Sequence, residues 1–298
     1  MPTTVHRAIQ MPIQLPLQPA SRRSSSALRR VTMRWAMGAA LIAGAAVFTA
    51  TQAHAGRSCE AQKPPPAKSV ERGMQLAERT SQALDATGAQ VVMLGRAGQD
   101  LGKYGVRYSH LGWAYKTPEG PWRVTHKLNE CGTAVGHVYR QGLGEFFLDD
   151  LWRYEAVWAV PSPEVQQRLF VLLQDKGRTK VMNQPAYSMV SYAWGTKYQQ
   201  SNQWALETLA AAMEPTSVNS REQAQAWLKF KGYEPTTLKI GPLTRMGGRV
   251  GSANIAFDDH PNDKRYSDRI ETVTVDSMLA WLQRAQLGSA PATLVLKN

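Results

Sequence analysis

Cysteine is scarce in this chain: Cys59 and Cys131 are the two it has among 298 residues. Beyond residue 56 no stretch is long and apolar enough to span a bilayer, which takes about 20 residues. No basic run occurs there either, which removes the usual footprint of nucleic-acid binding. A phosphate-cradling loop is also missing, because Gly95-Arg96-Ala97-Gly98 lacks the lysine and the following helix of a nucleotide site. Neither an internal repeat nor a low-complexity segment breaks residues 56–298, and no cofactor is implied. Acid is absent from the first 55 residues, which hold six arginines, so the formal net charge of +12 falls to +6 without them.

What that N-terminal stretch does contain is an ordered pattern. Arg22, Arg23, Arg29, Arg30 and Arg34 precede an apolar run from Trp35 to Ala50, and Ala53-His54-Ala55 follows. Basic region, short apolar region and small-x-small site are the parts of an export signal, so cleavage near Ala55 and a periplasmic or secreted location are expected. Translation from Met33 would give a signal of ordinary proportions. Gly56-Arg57-Ser58 before Cys59 is unlike the small apolar residues that precede a lipidated cysteine, so no stable membrane anchor is expected after cleavage. In an oxidising envelope Cys59 and Cys131 are expected to pair; a reactive Cys131 is the alternative. The mild positive charge suits an anionic envelope.

Periodicity then gives an α+β chain, an antiparallel sheet packed against helices, with strands early and helices in the middle. An opening helix carries Val70, Met74, Ala77, Ser81 and Leu84 up to a stop at Gly88. Strands are expected at Gln90–Leu94, Val106–Tyr115, Trp122–Leu128 and Arg153–Val160, with Thr117-Pro118-Glu119-Gly120-Pro121 turning the second into the third. Ser162-Pro163-Glu164 opens a helix, another starts near Ser201-Asn202 and ends before Pro215, and Ser220 with Gln223 forms a capping box for a third. Tyr233–Phe257 shows little helical pattern, and Asp258-Asp259-His260-Pro261-Asn262-Asp263 reads as a solvated turn, its spacing matching neither a zinc signature nor a calcium loop. A last helix, Asp276–Leu287, precedes a strand at Thr293–Leu296. The expected organisation is a signal over 1–55, a core over 56–215, and 216–298 as an extension or second lobe of the same domain.

Four segments carry a resemblance: Gly95-Arg96-Ala97-Gly98-Gln99-Asp100, Tyr108-Ser109-His110-Leu111-Gly112, Gly142-Leu143-Gly144-Glu145-Phe146-Phe147 and Ser201-Asn202-Gln203-Trp204. They are similar to an uncharacterised bacterial family, domain of unknown function 2145. More remotely, the layout resembles circularly permuted NlpC-type papain-like hydrolases, which implies a papain-like architecture. That likeness puts His110 at the catalytic histidine, as general base, and the nucleophile at the start of the helix opening at Ser201. The sequence has Asn202-Gln203 there, and glutamine forms no acyl-enzyme.

Two functions follow as expectations. One is a non-catalytic member that binds an envelope ligand or protein partner. The other is a periplasmic amidase or acyl hydrolase acting on cell-wall peptides or lipids. Cys131 is the alternative nucleophile, after the hairpin and within possible range of His110 or His126. Arg96, Asp100, His126, Ser201, Asn202 and Gln203 are the binding candidates, each with a plainer reading: Arg96 with Asp100 as a loop ion pair, His126 as a strand histidine on one face with Trp122, Ser201 as a helix cap.

Overall fold

The computed structural model describes residues 65–149 and 151–297. The expected export signal and Cys59, and with Cys59 its expected bond to Cys131, lie outside the described residues.

Helix α1 (Ala67–Ala86) opens the fold and stops where Gly88 turns to φ +67°, the left-handed geometry that favours glycine. Its buried face runs through Gly73, Leu76, Ala77, Thr80 and Leu84, with Met74 exposed. The face is rotated from the expected stripe and takes in Gly73, which packs against the end of α2: a Cβ there would lie 2.9 Å from the Phe147 carbonyl oxygen. Strand β1 (Val91–Ala97) is buried at all seven positions. It runs three residues past the expected end, and Arg96 sits in the strand with its guanidinium bonded to the Phe146 carbonyl and Asp149. A single 3-10 turn (Gly102–Tyr104) leads to β2 (His110–Tyr115) and, through the expected turn, to β3 (Arg123–Asn129). The residues before His110, expected as strand, are loop.

Two elements that were not anticipated come next, β4 (Gly136–Gly142) and the single-turn helix α2 (Leu143–Phe147). Strand β5 (Arg153–Ala159) precedes α3 (Pro163–Gln174), where Ser162 Oγ accepts from the Val165 amide at 3.4 Å. A short α4 (Arg178–Val181) leads to α5 (Ser201–Met213), and α6 (Arg221–Phe230) carries the expected capping box of Ser220 and Gln223. Then come β6 (Thr236–Lys239), α7 (Pro242–Gly251), α8 (Asn262–Tyr266), β7 (Arg269–Thr272), α9 (Val275–Arg284) and β8 (Ala292–Val295). The helix α7 corrects the expectation of an irregular Tyr233–Phe257.

Six strands pair in the order β4-β3-β2-β1-β5-β8, every neighbour antiparallel. Strand residues alternate faces, and both faces are covered. Leu111, Trp113 and Tyr115 pack with Leu169 of α3, Trp204 and Ala205 of α5, Leu228 of α6 and Trp281 of α9. Val92, Leu94, Ala114 and Val124 pack on the other side with Leu76 and Leu84 of α1 and Phe146 and Phe147 of α2. Trp113, Trp204 and Trp281 are wholly buried, and side chains of this size each contribute about 2–3 kcal/mol by leaving water. Residues 216–298 supply α6, α9 and β8 to this body. They also form the two-stranded antiparallel sheet β6–β7, whose Leu238 and Ile270 close a small separate cluster with Val106, Ile240 and Phe257.

All thirteen residues of α5 are buried. A helix sealed on every side must satisfy its polar side chains inside the protein. Glu207 is met by Arg221 Nε at 2.7 Å and Nη2 at 3.1 Å, by Gln225 Nε2 at 2.8 Å and by Gln199 Nε2 at 2.5 Å. Burial pushes the Glu207 carboxyl up against the pull of Arg221. Lys127 of β3 lies in the same layer, donating to Gln199 Oε1 at 2.9 Å and to the Gln184 carbonyl, and burial drives its ammonium down to about 7.

Candidate functional site

Arg96 and His110 are cross-strand neighbours in the β1–β2 register, and both face the α1/α2 layer. Gly112, two residues on, faces the same way, and a Cβ there would meet Val124 Cγ1 at 2.6 Å and His126 Cβ at 2.8 Å. The absent side chain is what lets His126 of β3 lean over β2 toward His110. Nε2 of His110 and Nδ1 of His126 are 2.8 Å apart, and His126 Nε2 lies 2.8 Å from Gln141 Oε1 on β4. A carbonyl oxygen only accepts, so the hydrogen of His126 is on Nε2, its Nδ1 accepts, and His110 donates from its own Nε2. His110 Nδ1 is left with a lone pair.

The lid of this cluster is α2. The Phe146 ring lies 5.3 Å from the ring of His126 and 5.9 Å from that of His110, and the Arg96 guanidinium sits 4.9 Å above it. Arg96 donates to the Phe146 carbonyl and pairs with Asp149 just beyond α2. Burial first, then the charge of Arg96, holds both imidazoles in the neutral form: His126 falls to about 4 and His110 well below the ordinary histidine value.

Arg96, His110 and His126 therefore meet, and four other candidates sit elsewhere. Asp100 does not pair with Arg96; its Oδ1 accepts from the Gly102 amide at 3.0 Å in a local turn. Cys131 lies in the exposed turn between β3 and β4, separated from His126 by the last strand residues, about 10 Å of chain at the usual strand rise. Ser201 and Gln203 belong to α5, on the opposite face of the sheet. Ser201 is not the cap expected of it. Gln200 is, its side chain accepting from the Asn202 amide at 2.8 Å, while Ser201 Oγ lies 3.3 Å from the Tyr187 hydroxyl.

Gln203 is saturated. Its Oε1 accepts from Ser191 Oγ at 2.8 Å, and its Nε2 faces the carbonyls of Tyr192 and Ala193 at 3.1 and 3.2 Å. The side chain pins the 191–195 loop to the start of α5. Gln203→Ala is expected to cost about 2–4 kcal/mol, since it strands several buried polar groups at once; a urea-denaturation series with an unchanged slope would check it. Asn202 alone bridges the two regions: its Oδ1 takes the Leu111 amide at 3.1 Å, next to His110, where the β2–β3 ladder has already opened.

The four segments of the family resemblance converge here. Ser109 ties the first two together, its Oγ accepting from the Gly98 amide at 2.9 Å; Phe146 brings the third and Asn202 the fourth. A family model for an uncharacterized protein conserved in bacteria, DUF2145, matches residues 83–282. The chain belongs to this family. No curated protein and no solved structure matches this DUF2145 chain.

Sequence reasoning missed three features. The Glu207 network is one, although a lone acid in an otherwise uncharged stretch from Ser201 to Met213 is a signal for it. Glu155 is another, held by Arg107 Nε at 2.8 Å and the Tyr108 hydroxyl at 2.6 Å. The third corrects the solvated turn: Asp259 and His260 are a buried pair at 3.0 Å, and Asp259 Oδ2 accepts from the Tyr192 amide at 2.7 Å. Only Asp258 and Asp263 of that segment are exposed acids.

Proposed function

We propose that this DUF2145 protein is exported, cleaved near Ala55, and works in the envelope as a non-catalytic binding protein of papain-like ancestry. The binding site is the Arg96–His110–His126 end of the sheet, where Arg96 and His126 are buried beneath α2 and the half-buried His110 is the member a ligand reaches. One observation supports the reading: Gln203, at the position where the resemblance to the permuted hydrolases would put the nucleophile, is spent entirely on holding the 191–195 loop. His110 faces the other layer, bonded to His126, whereas nucleophilic catalysis needs base and nucleophile within hydrogen-bond reach. A histidine held far below its ordinary basicity is also poorly matched to proton abstraction near neutral pH.

The hydrolase reading draws on one feature, the lone pair at His110 Nδ1. The two are separated by incubating the purified protein with cell-wall peptides and acyl esters while following the His110 and His126 ring resonances. The expected result is perturbed rings and no turnover. Turnover that His110→Ala abolishes while the fold is kept would overturn the proposal. Intact-mass analysis with thiol alkylation tests the rest: a mass beginning at Gly56, and alkylation of Cys59 and Cys131 only after reduction, are expected. Rapid alkylation of Cys131 without reduction would return it to candidacy as a nucleophile.

A further inference from the structure

Helix α7 is mounted the wrong way round for a globular protein. Leu243, Met246 and Val250, at helical spacings of three and four, form an apolar stripe that is 79, 60 and 86% exposed. The side toward the body is polar or bare. Arg245 donates to the Arg265 carbonyl and pairs with Asp268 at 3.1 Å, while Gly248 rests on Ile255, whose Cγ2 would lie 3.3 Å from an added Cβ. None of the ten residues is buried. A surface helix ordinarily turns its apolar stripe inward, so this one is built to meet something outside the described fold.

The surroundings say what. Tyr266 at the end of α8 is 70% exposed, and the Arg265 guanidinium lies 4.9 Å over its ring. Arg249 borders the stripe, and Arg269 begins the strand that follows α8. The acids nearby are mostly committed, Asp268 to Arg245 and Glu271 to Lys264 at 2.6 Å, leaving Asp263 as the exposed acid of α8. An apolar stripe with an aromatic beside it and arginines at its edge is the pattern of a helix that lies in a bilayer interface, and the arginines select anionic headgroups. We infer that α7 docks this protein onto an anionic membrane surface, the stripe entering the headgroup boundary while the sheet and its site stay in water. The inference does not rest on the binding role of the Arg96–His110–His126 cluster.

The test is backbone hydrogen exchange of the full chain with vesicles of 7:3 phosphatidylcholine to phosphatidylglycerol. Exchange in 242–251 is expected to slow on these vesicles, not to slow on pure phosphatidylcholine, and to recover at high salt. Arg249→Gln should weaken vesicle binding about fivefold, the usual effect of one cation near an anionic surface. A Leu243→Ser, Val250→Ser double variant, altering only exposed side chains, should abolish the protection. Because the readout is local, binding through the apolar 35–50 stretch alone would leave α7 exchange unchanged and would overturn the inference. Protection that grows with protein concentration without vesicles would overturn it too, in favour of contact between copies.

Discussion

Glu207→Ala is expected to be the most damaging single substitution in the protein, lowering stability by about 3–5 kcal/mol, the usual cost of breaking one half of a buried ion pair. For a domain of this size that is roughly 10 °C or more in Tm. The reason is what remains behind. Arg221 would keep its charge in a buried position, and the Gln199 and Gln225 amides would each lose one of two acceptors, keeping the Met182 and Gly195 carbonyls. The carboxyl itself is not comfortable there, since burial pushes its pKa up despite Arg221. Desolvation thus outweighs attraction, and the pair is worth less than the damage done by cutting it. It follows that Glu207→Met with Arg221→Met should be less destabilised than Glu207→Ala alone, because no orphan charge is left, although the Thr196 and Gly195 carbonyls would still lose a donor. Chemical denaturation of the three variants decides it. A single variant costing under about 1 kcal/mol would mean that water reaches Arg221 and that α5 is not sealed as described.

The network also shows which parts of the fold were legible in the sequence. Elements announced by local chemistry were readable: the Ser162-Pro163-Glu164 start of α3, the Ser220 and Gln223 box of α6, the Thr117–Pro121 turn and the glycine after α1. Those hints act within a few residues, so one sequence suffices. Strand β4 was not readable, because its residues Gly136 to Gly142 have no apolar alternation; it exists by pairing with β3 along seven residues. Helix α7 was missed for the opposite reason. Its glycines hide the period, and its stripe faces away from the protein.

The site divides in the same way. His110 and Arg96 could be singled out from the sequence, but their partners could not. Asp149 is 53 residues from Arg96 and Gln141 is 15 from His126, and only the sheet order brings them together. The choice of face was equally hidden. His110 and Leu111 are adjacent, yet alternation sends one under α2 and the other under α5. A single residue of register therefore separates a histidine that would look at the start of α5 from one that looks at His126. That step is also why the Ser201–Gln203 positions and His110 do not form one site.

The histidine pair should make this protein acid-sensitive well above the carboxylate range. In the unfolded chain both imidazoles titrate near 6.5, whereas in the fold burial holds His126 down to about 4 and His110 well below its ordinary value. Between these limits the unfolded state binds protons that the folded state refuses, so stability rises with pH. The contribution is complete above about pH 7 and is lost as pH falls toward 4; for His126 the loss by pH 5 is about 2 kcal/mol, and His110 adds to it with the same sign. Glu207, whose carboxyl is raised, works in the other direction at the acid end and softens the loss there. The window from pH 6.5 to 5 is the informative one, because ordinary carboxylates hardly titrate in it. Urea midpoints measured across that window should fall steeply for the native chain and much less for His110→Gln with His126→Gln. An equal fall in both would mean that the pair takes up protons in place, with water at His110 and α2 no longer a closed lid. Neutral histidines shielded under α2 would then be the wrong description, and the Arg96 cluster would be open to water and charged instead.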